Sequence, residues 1–211
     1  MAEQPFHLTE NEIDSWCSFH QSEKIPFSPD QSALILIDLQ RYFTDSEAPA
    51  YLPASGAAMD RLLPLLKTFM EKKRPVIFTR HVDRPDSGNL LLSWWQGRIE
   101  EDSPWSSLDE RLTPFLQDSK IIKKEHYDAF RETDLETHLR ILDVRQVVIG
   151  GVMTHLCCET TARSAFMRAF PVFFLVDGTA TADRSFHLSS LTNLRHGFAT
   201  LLRVSHVIQA L

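Results

Sequence analysis

Cys157 lies in the stretch Gly150-Gly151-Val152-Met153-Thr154-His155-Leu156-Cys157-Cys158-Glu159, which follows the apolar run Val147-Val148-Ile149 and leads into a helical pattern from Thr161 to Arg168. A cysteine at a strand-to-helix turn meets unpaired backbone N–H groups and the positive end of a helix dipole. That setting favours the thiolate, the form of cysteine that attacks carbon. Two more residues extend the chemistry. Asp38 follows the unbroken apolar run Ala33-Leu34-Ile35-Leu36-Ile37, and Lys124 ends the run Lys120-Ile121-Ile122-Lys123-Lys124. A lysine beside a thiol steadies the thiolate and pairs with a carboxylate. A carboxylate near both takes the thiol proton and returns it to a leaving group. Singly, each residue has a plainer reading: Asp38 as a turn cap, Lys124 as a solvent-reaching side chain, Cys157 as a small buried hydrophobe. Cys158 fits that last role better, since it sits about 100° further round the helix axis.

The surrounding elements decide whether these residues can meet. Strand patterns cover Ala33–Ile37, Pro75–Thr79, Lys120–Lys124, Gln146–Ile149, Val172–Val176 and Leu201–Val204. Helical patterns cover Met59–Met70, Leu108–Leu116 (with Ser106 or Ser107 as cap), Leu135–Leu142 and His187–Thr200. Alternation at this spacing predicts a three-layer, Rossmann-like α/β fold: a mostly parallel sheet of about six strands with helices on both faces. Ligands of such sheets bind beyond the carboxyl ends of the strands. Asp38, Lys124 and Cys157 all fall at those ends. Residues 1–30 read as an appendage, with a capping box Thr9-x-x-Glu12 opening a helix Glu10–Ser18 and Ile25–Pro29 as an extended connector; residues 31–211 form the main domain. The segment Asp83–Trp105 is loop-rich yet carries Leu90, Leu91, Leu92, Trp94, Trp95 and Trp105, as expected of a cover over a site or a subunit interface.

The bulk properties bound the partners. The chain has 211 residues, 43% hydrophobic, with a net charge of −6 and no long basic run, which argues against nucleic acid and anionic membranes. No apolar stretch reaches the ~18 residues of a membrane span. Met1–His20 has no apolar core and does not read as a signal peptide. The three cysteines, Cys17, Cys157 and Cys158, form no C-x-x-C pair; so low and odd a number fits a reducing, cytoplasmic setting and speaks against a disulfide framework or thiolate zinc site. No glycine-rich phosphate loop is present, so no nucleotide cofactor is expected.

At the candidate residues the chain resembles the isochorismatase-like hydrolases, or cysteine hydrolase superfamily. The match rests on Leu34-Ile35-Leu36-Ile37-Asp38-Leu39-Gln40 with Phe43, on Lys124-x-x-Tyr127-Asp128-Ala129-Phe130 with Thr133 and Leu135, and on Gly151-Val152-Met153-Thr154-x-x-Cys157 with Thr160-Thr161-Ala162. Val176-Asp177-Gly178-Thr179-Ala180 and His187 resemble the downstream elements. The resemblance implies a triad in which Asp38 is general base and acid, Lys124 holds the thiolate and orients Asp38, and Cys157 attacks a carbonyl-type carbon to give a thioester-type intermediate. It also implies a cis peptide between Val152 and Met153, with the Met153 and Cys157 N–H groups as an oxyanion hole.

Two chemistries occur in this family. Amidases such as nicotinamidase use the cysteine; isochorismatase proper hydrolyses a vinyl ether and typically has glycine there. Cys157 favours hydrolysis of a C–N bond in a small non-peptide substrate. Val152-x-x-His155 and Ala165-Phe166-Met167-Arg168 keep the vinyl-ether reaction as the alternative, and a catalytically inactive binding module is a second. Nicotinamidases carry a metal cluster of one aspartate and several histidines after the second strand. Here only His81-x-Asp83 appears, with His126 next, so no metal is expected. Phe43, His81, Trp94 or Trp95, and Tyr127 are candidate substrate contacts. Arg80, His81 and Arg84 fit either an anionic substrate group or a salt-bridged surface loop. The apolar loop and the appendage point to a homo-oligomer.

Overall fold

A computed structural model describes residues 6–17, 25–84, 88–95 and 97–211 of the chain. Six strands, β1 (Ser32–Ile37), β2 (Val76–His81), β3 (Lys120–Lys124), β4 (Gln146–Val152), β5 (Val172–Ala180) and β6 (Ala199–Leu202), form one sheet in the order β3-β2-β1-β4-β5-β6. Every neighbouring pair is parallel. The predicted α/β architecture is the one observed.

Burial on both faces explains the unbroken apolar strands. In β1, Ala33, Ile35 and Ile37 join a core layer with Leu135, Leu139, Ala162, Leu191 and Leu194 from helices on one face. Leu34 and Leu36 point the other way, into Met59, Leu62, Leu66 and Phe69 of the helix Ser55–Glu71. These five residues of β1 are fully shielded from solvent, the leucines and isoleucines each contributing on the order of 2 kcal/mol of burial free energy. The helix Glu10–Cys17 opens with the predicted capping box: Glu12 accepts from the Thr9 N–H at 2.8 Å, and the Thr9 hydroxyl accepts from the Glu12 N–H at 3.3 Å. Its Ile13 enters the first core layer, while Glu10 and Asp14 pair with Arg203 and Glu12 with Arg184. Ser18 and His20 lie outside the described residues.

Several boundaries differ from the sequence reading. Leu108–Leu116 is not one helix. A 3-10 turn, Glu110–Leu112, is capped by the Asp109 side chain rather than Ser106 or Ser107, and the single α turn Thr113–Leu116 follows. Ser106 is instead buried, where its carbonyl takes Gln40 and Arg80. The helix expected over His187–Thr200 runs Arg184–Gly197, starting where Asp183 caps the Ser185 N–H; β6 then begins at Ala199, two residues before the predicted Leu201. β6 ends at Leu202, and Val204, expected in that strand, instead opens a last helix, Val204–Ala210, which the sequence reading missed although Val204, Val207, Ile208 and Leu211 fall at helical spacing. The β4–β5 register shifts between Ile149 and Gly151, so that Gly151 faces Thr179. The shift lodges Asp177 beside the Val204 N–H, which it accepts at 2.9 Å. This gives Val176-Asp177-Gly178-Thr179-Ala180 a structural role.

Candidate active site

Chain order around the sheet reverses between β1 and β4, and at such a switch point the loops part to leave a crevice. Asp38 leaves β1 there with φ of +48°, a left-handed backbone that is uncommon for a residue other than glycine and concentrates at functional sites. Gly151 in β4 has φ of +117°, and a Cβ on it would overlap the Ile37 backbone. Glycine is required there by the close approach of the two strands. The Val152–Met153 peptide is cis, as the family resemblance implied. The chain then enters a π-helical turn, Thr154–Cys158, before the α-helix Glu159–Met167.

The three candidate catalytic residues meet. Lys124 Nζ donates to Asp38 Oδ2 at 2.7 Å, to the His126 carbonyl at 3.0 Å and to Cys157 Sγ at 3.5 Å. Both charged side chains are at most 1% exposed. The Thr79 hydroxyl donates to Asp38 Oδ1 at 2.6 Å and accepts from the Asp38 N–H at 3.0 Å. Thr79 went unnoticed in the sequence; its signal was only a hydroxyl near the end of an apolar strand beside β1. Burial lifts the Asp38 carboxyl, but the Lys124 ammonium, the His81 imidazole and the hydrogen bonds from Lys124 and Thr79 outweigh it and hold the group below the usual carboxylate range. Burial depresses the Lys124 ammonium, and Asp38 and Cys157 more than restore it, so its pKa stands above the ordinary lysine value.

The thiol departs from expectation. Cys157 is the fourth residue of the π-helical turn, not the first of an α-helix, and it is 8% exposed. Burial pushes its pKa up, and the Asp38 carboxylate adds to the rise against the opposing pull of Lys124. The resting site therefore holds a neutral thiol beside an Asp38–Lys124 ion pair, not a preformed thiolate. Cys158 is fully buried, in the packing role assigned to it.

The tyrosine motif has a mechanical basis. Thr161 Oγ1 accepts from the Ala129 N–H at 3.1 Å and donates to the Tyr127 carbonyl at 3.3 Å, while Asp128 takes the Ser164 hydroxyl at 2.7 Å. These bonds tie the loop after β3 to the helix that follows the cysteine. A cavity of about 330 Å³ opens on Asp38 and Cys157. Phe43, His81, Trp95, Tyr127 and Met153 line it, as does Asp83 of the His81-x-Asp83 pair; Tyr42 and Tyr51 also line it, and sequence reasoning did not single them out. Tyr42 adjoins Phe43, a neighbour signal that was available. Trp94 does not line the cavity and is 77% exposed. Trp94 ends the turn Leu91–Trp94, and the extended residue after it, Trp95, lines the cavity and donates to the Tyr127 hydroxyl at 2.6 Å. Arg80 reaches Glu101, and Arg84 pairs with Glu125; neither lines the cavity.

His187 supports the catalytic turn from beneath: its Nδ1 lies 3.0 Å from the fully buried Thr154 hydroxyl. Burial holds its pKa down to about 4, against a favourable contact with the Val176 carbonyl. The unfolded chain thus takes up this proton first as pH falls, and stability is lost between about pH 6.5 and 4, by on the order of 3 kcal/mol in full. Urea unfolding at pH 7 and pH 4.5 should show a drop about 2 kcal/mol larger for the wild type than for His187→Gln. Equal drops in the two proteins would remove His187 from the account.

A metal finds little to hold it. Asp83 Oδ1 lies 3.0 Å from His81 Nε2, and Oδ2 accepts from the Ile99 N–H at 2.8 Å. The His126 ring nitrogens face Asn89 at 3.3 Å and Glu132 at 3.2 Å. Among the described residues no three metal-ligating side chains converge. The residues present do not fit the nicotinamidase cluster. No described helix is long and apolar enough to cross a membrane.

Comparison with known proteins agrees with this geometry. Nicotinamidase 3 of Arabidopsis thaliana is 34% identical over 174 residues, covering 81% of this chain and 84% of that protein. Enterobactin synthase component B of Escherichia coli K12 is 30% identical over 167 residues, covering 78% of this chain and 58% of that longer protein. The crystal structure of a cysteine hydrolase from Pseudomonas syringae pv. phaseolicola matches with a TM-score of 0.83 at 26% identity, over 88% of this chain and 94% of that one. The Isochorismatase domain family matches residues 32–205. A parallel sheet with this switch-point site, together with a match across most of the chain, places the protein in the isochorismatase-like hydrolase family.

Proposed function

We propose that the protein is a cysteine-dependent amidohydrolase acting on a compact, neutral, non-peptide amide, carbamoyl compound or ureide. The observation that carries the reading is the position of Lys124 Nζ, in contact with both Asp38 and Cys157. One ammonium can then serve as counter-ion while negative charge moves from carboxylate to sulfur to oxyanion. Asp38 takes the thiol proton as Cys157 Sγ attacks the carbonyl carbon. The Met153 and Cys157 N–H groups receive the developing oxyanion, each such donor typically lowering the barrier by about 3 kcal/mol. As the C–N bond breaks, Asp38 gives the proton to the departing nitrogen. Water then attacks the thioester, Asp38 accepts its proton, and that proton returns to sulfur as the C–S bond breaks.

The cavity wall supports a neutral substrate. Its titratable side chains among the described residues include Asp38, Asp83 and His81, with no lysine or arginine. Isochorismate is a dianion, and such a wall offers it no cation.

Ammonia release from a panel of small amides, carbamoyl compounds and ureides tests the proposal. Turnover by the wild type should fall by at least about 10³-fold in Cys157→Ala. Turnover surviving in that variant would remove Cys157 as nucleophile. Silence across the panel, with hydrolysis of isochorismate, would transfer the chain to the vinyl-ether reaction.

A further inference from the structure

Residues 6–17 precede the matched domain and line no part of the substrate cavity. They hold the first turn of the helix Arg184–Gly197 instead. The Phe6 ring packs on the His187 imidazole with centroids 5.5 Å apart, and Glu12 pairs with Arg184. That ion pair is exposed to solvent and screened, so the Phe6 ring carries most of the hold. The same helical turn grips the catalytic loop. His187, itself 1% exposed, has Nδ1 3.0 Å from the Thr154 hydroxyl. Phe186 stacks on the His155 ring at 4.4 Å, and His155 Nδ1 lies 2.7 Å from the Thr181 hydroxyl. Thr154 and His155 open the π-helical turn and separate Met153 from Cys157, the two proposed oxyanion donors. Inside that turn the Leu156 and Cys158 N–H groups share the Met153 carbonyl, at 3.1 and 3.2 Å. Turns of this width are rare, and with one carbonyl shared by two donors this one leans on its side-chain anchors.

We propose that the N-terminal appendage is a positioning element for the catalytic turn: Phe6 steadies His187, His187 steadies Thr154, and Thr154 sets where Cys157 and the oxyanion-hole N–H groups stand. The proposal rests on the amidohydrolase reading for the reaction, but not for the geometry. None of Phe6, His187 and Thr154 lines the cavity, so they act through Cys157. Loss of the Phe6 ring should leave KM, which the cavity wall sets, within about 2-fold, and lower kcat by about 10-fold, because a small misplacement of the reacting groups is that costly. A chain of contacts becomes a coupling only when its links fail together.

Amide hydrogen exchange of full-length Phe6→Ala protein reads the geometry without a substrate. The Leu156, Cys158 and Glu159 amides, which bond within the turn, should exchange about 10-fold faster than in the wild type. The amide of fully buried Ile35 in β1, a reporter of global unfolding, should not share that gain. Phe6→Tyr, which keeps the ring, should restore protection. In His187→Gln the same amides should already exchange fast, and adding Phe6→Ala should change them by less than about 2-fold. Turn amides that speed up no more than Ile35, or a Phe6→Ala effect undiminished in His187→Gln, would overturn the inference, since Phe6 would then serve stability alone. Kinetics on any panel amide that the wild type hydrolyses give a second test, and a kcat unchanged in Phe6→Ala overturns the inference too. Faster exchange of the turn in Phe6→Ala, with a wild type that releases no ammonia from the panel, sinks the amidohydrolase reading and leaves the positioning intact.

Discussion

Lys124→Met is expected to destabilise the protein by about 3–5 kcal/mol, the usual cost of leaving one member of a buried ion pair without its partner. Lys124 and Asp38 are both shut off from solvent and lie 2.7 Å apart. With the ammonium gone, only the neutral Thr79 hydroxyl and Cys157 thiol are seen among the described residues to support the Asp38 carboxylate. Burial then dominates, and the Asp38 pKa rises until the group protonates. Adding Asp38→Asn removes the stranded charge, so the double variant should recover most of the loss in urea unfolding while staying inactive. A double variant no more stable than Lys124→Met would mean that the ammonium stabilises through contacts other than Asp38. The cycle also separates stability from chemistry, since the single variant lacks the counter-ion and the double variant lacks the proposed base as well.

Gly151→Ala is expected to cost at least about 3 kcal/mol, through an unfavourable backbone region and a collision that cannot relax. The added Cβ would meet the Ile37 carbonyl oxygen and nitrogen, which are backbone atoms of a central strand, rather than the end of a flexible side chain. Relief would have to push β1 from β4 where Asp38 and Met153 leave the sheet, so residual folded protein should also lose activity. Gly56→Ala is the matched control. It lies in the helix Ser55–Glu71 with nothing within 4 Å of the new Cβ, and should be neutral or stabilising by up to about 1 kcal/mol. Thermal unfolding of both variants checks the contrast. Similar melting temperatures would show that the two strands can part at little cost.

The sheet and the meeting of Asp38, Lys124 and Cys157 were legible because they follow from local signals. The unbroken run Ala33–Ile37 marks a strand buried on both faces, and Asp38 directly after it lands at the strand end, whereas Lys124 and Cys157 were legible through strand–helix alternation and the family motifs. What was not legible depends on tertiary surroundings. The start of the Glu110–Leu112 turn depends on whether Asp109 or a nearby serine reaches a free N–H, and Ser106 was already committed to the core. At the end of Arg184–Gly197 the glycine after Arg195 and His196 was a stop signal that the longer helical pattern obscured, and Ala199 pairs with Val172 across the sheet. Trp94 and Trp95 are indistinguishable by composition, and only the Tyr127 hydroxyl selects the second. The thiol was misjudged for the same reason: a turn after a strand promises a helix dipole, while the depth of burial that outweighs it appears only when the helices close over the sheet.

The neutral Cys157 also has a bearing on survival in an oxidising moment. Peroxide and electrophiles in general react with thiolates, and the first step towards sulfenic acid slows as the thiolate fraction falls. A sulfur kept protonated by its surroundings spends little time in the vulnerable form. In the proposed reaction Asp38 removes the proton as a carbonyl carbon arrives to be attacked, so the sulfur would be exposed to damage mainly during turnover. Durability and reactivity, which compete in an exposed thiolate, are separated here in time.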